Sequence, residues 1–124
     1  MAARVLIAED EPHIVESLSF LLEQAGCDVA VVYDGEAALT ALQGPRRPDV
    51  LVLDLMIPKK NGFEVLKWVR GEADLKGLAV LMLTAKGQDQ DRQTAMDLGV
   101  DAFITKPFSN KDVVEQVIRL SGHP

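Results

Sequence analysis

Four short apolar runs, Val5 to Ala8, Val50 to Leu53, Ala79 to Leu83 and Ala102 to Ile104, each end on polar residues able to handle phosphate or metal. Those residues are Glu9 and Asp10, then Asp54, Thr84 and Lys106, the last two residues beyond its run. The runs are rich in β-branched residues and lack polar alternation, the pattern of parallel strands buried on both faces. In an open parallel sheet with helical crossovers, ligands bind in the crevice beyond the strand ends. Residues remote in sequence can therefore converge on one site.

Between the runs the periodicity becomes helical. Pro12 stands at a first helical position, with Asp10 or Glu11 available as cap. Ile14, Val15, Leu18, Leu21, Leu22 and Ala25 share one broad face, and Gly26 ends the helix. Phe20 falls nearly opposite that face, alongside His13, Ser17 and Gln24, and is expected to be exposed. It reads either as an ordinary single apolar surface residue or as part of a docking strip. Asp28 to Tyr33 reads as the second strand, and Glu36 to Gln43 as a helix stopped by Gly44 and Pro45. Asn61 and Gly62 open a third helix that turns Phe63, Leu66 and Val69 inward. The fourth, about Asp89 to Leu98, offers only Ala95, Met96 and Leu98 as apolar surface, which predicts weak packing. Ser109 with Asp112 makes a capping-box-like start for a fifth carrying Val114, Val117 and Ile118. Five strand-helix units with right-handed crossovers predict a three-layer, doubly wound (βα)5 sandwich of the flavodoxin-like kind. Strand order 2-1-3-4-5 places strands one and three at the topological switch point, below Glu9, Asp10 and Asp54.

With 124 residues the chain suits a single domain, 1–124, with no effector domain. A net charge of −6 opposes sequence-independent nucleic-acid binding, which needs a face of Lys and Arg. Lone Cys27 cannot form an internal disulfide, and the opening run meets Glu9, Asp10 and Glu11 too soon for a secretory segment. The expected compartment is the cytoplasm, without membrane contact.

Carboxylates meeting in one crevice stay ionised only if a cation offsets them. A hard divalent ion such as Mg²⁺ fits oxygen ligands like Asp10 and Asp54 together with a phosphoryl group. Neither His13 nor Cys27 has a companion at zinc-ligand spacing. Asp54 is then a candidate carboxylate nucleophile forming an aspartyl phosphate. The metal, the Lys106 ammonium and the Thr84 hydroxyl can share the equatorial oxygens, while small Ala85 leaves room for a phosphodonor. Plainer readings stand beside these. Asp10 can simply cap a helix, Thr84 can reflect β-propensity, and Met56, Met82 and Met96 suit core or carbonyl positions. His13 reads as a solvated helix residue and His123 as part of a tail, without chemistry. Lys106 is held extended by Pro107, which aims its side chain toward the crevice.

Taken in order, Ala8-Glu9-Asp10-Glu11, Val52-Leu53-Asp54-Leu55-Met56-Ile57-Pro58 with Gly62, Leu83-Thr84-Ala85 and Thr105-Lys106-Pro107-Phe108 resemble the receiver domain of response regulators in two-component signalling. The resemblance spans almost the whole chain. It implies that Asp54 accepts a phosphoryl group from a histidine kinase or histidine phosphotransfer protein. It implies Mg²⁺ among Glu9, Asp10, Asp54 and the backbone carbonyl of Met56, and a cis peptide between Lys106 and Pro107. Partner docking would involve His13, Ser17, Phe20, Pro107 and Phe108. The switch pair would be Thr84 and Phe103, Phe103 turning into space that Thr84 vacates. Phe103 departs from the commoner Tyr and has no hydroxyl to bond, so its reorientation rests on packing. The output face implied is the fourth helix, fifth strand and fifth helix. In regulators with DNA-binding effectors that face often forms a phosphorylation-dependent homodimer through charged pairs. Asp97, Asp101 and Arg119 are available for this, but Gln116 stands where that subfamily usually carries Arg.

Other classes fit less well. An aspartyl-nucleophile phosphohydrolase needs a second Asp where Met56 stands, and a flavin or nucleotide binder needs a phosphate loop where Glu9 to Pro12 lie. A non-phosphorylated interaction module of the same fold would not need the intact set of pocket residues.

Overall fold

The computed structural model describes residues 2–85 and 89–122, so His123 lies outside the described residues. Five strands form one parallel sheet of order β2-β1-β3-β4-β5: β1 (Arg4–Ala8), β2 (Asp28–Val32), β3 (Val50–Asp54), β4 (Ala79–Thr84) and β5 (Ala102–Thr105). Helices α1 (Pro12–Gln24), α2 (Gly35–Gln43), α3 (Gly62–Gly71), α4 (Asp89–Asp97) and α5 (Asn110–Ser121) alternate with them. Architecture and strand order are those expected from the sequence.

The pleat sends alternate strand residues to opposite faces. Leu6, Leu51, Leu53, Val80 and Met82 pack with Ala38, Leu42, Val65, Leu66 and Val69 beneath α2 and α3. Val5, Ile7, Val50, Val52, Leu81 and Leu83 pack with Leu18, Leu22, Val113 and Val117 beneath α1 and α5. Register aligns Ala8 with Leu53, and Asp54 with Leu83. The polar residues at the carboxyl ends of β1, β3 and β4 consequently emerge together.

Several local expectations need correction. The last run was expected to be buried on both faces, yet β5 is an edge strand in which only Phe103 is buried. Glu11 is the N-cap of α1 without a side-chain capping bond, and Ser109 likewise caps α5 through no side-chain bond. The box instead forms at α3, where the Asn61 side chain accepts from Glu64 N at 3.0 Å and Glu64 accepts from Asn61 N at 3.1 Å. Ala25 is exposed as the C-cap of α1, one residue before Gly26 at φ +93°. Met82 is buried as expected, but Met56 and Met96 present their side chains to solvent, 52% and 59% exposed.

Weak packing of α4 is evident: Ala95 is its one buried residue. Its carboxyl end is better held. Arg70 of α3 donates to Gly99 O from Nε at 3.0 Å and Nη2 at 2.7 Å, to Leu78 O at 2.6 Å, and to Asp101 at 2.9 Å. The same Asp101 oxygen accepts from Val80 N at 2.7 Å. Arg119 donates to Gln116 on α5. Asp97 accepts from Gln93 Nε2 at 2.8 Å, so Asp97, Asp101 and Arg119, the charged candidates for a homodimer, are all engaged within the chain.

Candidate functional site

The β1 and β3 ends carry the acidic groups. Glu9 is completely buried, held by its N–H bond to Val32 O at 3.1 Å. Its Oε2 accepts from Asp10 N at 2.9 Å and Glu11 N at 3.1 Å. Its Oε1 lies 3.0 Å from the Lys106 ammonium, an ion pair outside hydrogen-bond geometry, so this buried oxygen has no donor. Asp54 is also buried; Oδ1 accepts from Met56 N at 3.1 Å and Oδ2 meets Lys106 Nζ at 3.3 Å. Asp10 is exposed at the rim. Met56 thus touches the site through its backbone while its side chain faces outward.

Lys106 reaches in from the end of β5. Its N–H donates to Thr84 O at 2.7 Å, fixing the last residues of β4 and β5 side by side, and its peptide with Pro107 is cis. Thr84 is fully buried and Ala85 exposed beside it. Lys106 is shared by Glu9, Glu11 and Asp54, with Glu11 Oε1 at 3.2 Å. The part played by Glu11 was not foreseen; its place two residues beyond Glu9, just before a helix, was the available signal.

One ammonium does not neutralise this set. Burial and the neighbouring Asp54 carboxylate push Glu9 up to about 7, against the pull of Lys106. Burial draws Lys106 downward, but the carboxylates of Glu9, Asp54 and Glu11 outweigh it and its pKa is raised. Glu9, Asp10 and Asp54 each offer an oxygen within 4.8 Å of the others. Among the described residues no other group of His, Cys, Asp and Glu is so placed, and neither His13 nor Cys27 belongs to it. Hard oxygen donors, one of them a buried atom lacking a donor, fit a hard divalent cation and not zinc.

Beside the acidic cup lies a cavity of 530 Å³ lined by His13, Ser17, Ala85, Lys106, Pro107 and Phe108, among others. Four of the five expected docking residues therefore meet at one opening next to Asp54. Phe20 does not line it, although it is 60% exposed further along α1.

Phe103 is 9% exposed and packs in the cluster under α2 and α3, with Ala95 of α4. The ring is already inward, so the expected inward turn has no outward starting point in this structure. Arg92 of α4 lies over it, Cζ being 5.0 Å from the ring centroid. Nothing in the sequence pointed to that pairing.

Comparison with known proteins gives one consistent result. The family model for the response regulator receiver domain matches residues 5–118. The phosphate regulon transcriptional regulatory protein PhoB of Klebsiella pneumoniae is 39% identical over 117 residues, which cover 94% of this chain and 51% of that regulator. The chain thus spans about half the length of such curated relatives. Among solved structures, the chemotaxis response regulator CheY4 of Vibrio cholerae superposes with a TM-score of 0.89 at 31% identity, covering 97% of this chain and 99% of that one. The Mn(2+)-bound form of response regulator Rcp1 superposes at 0.80 with 30% identity, covering 93% and 88%.

Proposed function

The chain belongs to the response regulator receiver domain family, and from that premise we propose that it is a phosphorylation switch in which Asp54 takes the phosphoryl group. The carrying observation is the seat of Asp54: a buried carboxylate 3.3 Å from the Lys106 ammonium, in a cup shared with Glu9 and Asp10. The donor is a histidine kinase or histidine phosphotransfer protein, admitted through the cavity lined by His13, Ser17, Pro107 and Phe108.

Glu9, Asp10, Asp54 and the Met56 carbonyl would hold Mg²⁺, which when bound supplies charge neutralisation for the incoming phosphoryl oxygens. That Rcp1 has been seen with Mn(2+) agrees with a divalent ion in this family. The remaining work falls to the chain. Met56 N–H orients Asp54 through Oδ1, leaving Oδ2 toward Lys106. A carboxylate oxygen of Asp54 attacks phosphorus, the bond to the donor nitrogen breaks, and the electron pair leaves with the donor imidazole. Lys106 and Thr84 take up the oxygens of the transferred group. Movement of Thr84 toward those oxygens shifts the α4, β5 and α5 face, because the modified form binds one arrangement better than another.

No described helix is long and apolar enough to cross a membrane, in keeping with a cytoplasmic signalling role. Intact-mass measurement after acetyl phosphate with Mg²⁺ tests the proposal. The parent chain should gain one phosphoryl group, and the gain should vanish with chelator or in Asp54→Asn. An unchanged parent mass would refute it and favour the non-phosphorylated interaction module.

A further inference from the structure

The two ends of α4 are held by different means. Beyond its carboxyl end, Arg70 grips Gly99 O and Asp101, and Val100 N donates to Ala95 O at 3.0 Å. Toward its amino end the helix has buried only Ala95, and Arg92, one turn earlier on the same side, reaches across to the Phe103 ring of β5. An arginine over an aromatic face is attracted by the ring quadrupole and also shields the ring from water. Phe103 is held inward by apolar contacts and this guanidinium, since it has no hydroxyl to anchor it.

We propose that Arg92 is a positioning residue of the switch: its guanidinium covers the Phe103 ring and pins the amino-terminal half of α4 to β5, and release of that cover is how α4 moves. The carboxyl end, clasped by Arg70, is the pivot. In this chain the moving part is the cover, while the ring stays inward. The cover itself stands on the geometry alone; its coupling to phosphorylation rests on Asp54 being the acceptor. Thr84 precedes α4 by five residues in the chain, and the coupling requires that displacement at Thr84 reach the turn that carries Arg92.

Amide hydrogen exchange tests the cover without any phosphoryl chemistry. A cation–π contact at an exposed site corresponds to about a two- to fivefold change in an opening equilibrium. Arg92→Ala should speed exchange in residues 93–97 by about that factor while leaving α5 unchanged, even though alanine is the better helix former and by propensity alone would slow it. Arg92→Lys should restore part of the protection, and in a Phe103→Leu background Arg92→Ala should add nothing. Unchanged exchange in Arg92→Ala, or the same acceleration whether or not Phe103 is present, overturns the cover.

The second arm is titration with beryllofluoride and Mg²⁺, where Arg92→Ala should bind about two- to fivefold tighter than the parent because the covered arrangement is no longer favoured. Equal or weaker binding means that the cover plays no part in the response. Parent and Asp54→Asn binding alike would instead count against the acceptor assignment, leaving the exchange result to decide the cover.

Discussion

Glu9 sets the electrostatics of the cup. Its carboxyl is buried beside Asp54 and titrates near 7 in the folded chain, against 4.5 for an ordinary glutamate. The folded state therefore holds the Glu9 proton longer than the unfolded state does. Its contribution to stability is complete below about pH 4.5 and is lost as pH rises through about 7. In chelator, urea denaturation should show the parent losing on the order of 1 kcal/mol or more relative to Glu9→Gln across that window. Mg²⁺ should shrink the difference, since a cation favours the ionised carboxylate. Equal pH profiles for the two proteins would mean that Glu9 is not titrating there. At this scale the sequence was generous where a residue's role follows from its strand end. Asp54, Thr84 and Lys106 arrive where their runs stop. Long side chains were less legible: Glu11 could be read as a helix cap, but its reach to Lys106 depends on how far β5 lies from α1.

Helix starts illustrate how local chemistry is overruled by tertiary demand. Ser109 and Asp112 have the spacing of a capping box, but no side-chain capping bond forms at Ser109. Asn61 and Glu64 make both reciprocal bonds, and Gly62 follows with its N–H on Leu55 O at 2.9 Å. Asn61→Ala should cost about 1 kcal/mol in urea titration and Ser109→Ala only a few tenths. A larger loss at Ser109 than at Asn61 would contradict the capping geometry. The sparse apolar pattern of α4 foretold its loose seating correctly. What composition could not reveal was the asymmetry of that seating, because Arg70 and Arg92 act across elements whose separation is set by the sheet. Likewise β5 has an apolar run like that of β3, and only the strand order makes one an edge and the other central.

The whole molecule follows from winding five strand-helix units around one sheet. The strand order puts the switch point between β1 and β3, and the acidic residues at the carboxyl ends of both strands then meet above it. That convergence was legible because the topology leaves few alternatives. If the convergence serves to hold Mg²⁺, the ion should stabilise the folded chain by about 2.7 kcal/mol at a hundredfold excess over its Kd. Thermal melts with and without chelator check this, and Asp54→Asn should gain less than the parent. A melt indifferent to Mg²⁺ would deny the cup its cation. The direct test of Asp54 itself is borohydride reduction after incubation with acetyl phosphate and Mg²⁺, followed by peptide mass spectrometry. Hydride reduces an acyl phosphate to an alcohol and leaves free carboxylates and phosphate esters intact. The account predicts reduction at residue 54 alone; an unreduced Asp54, or modification at another residue, would contradict it.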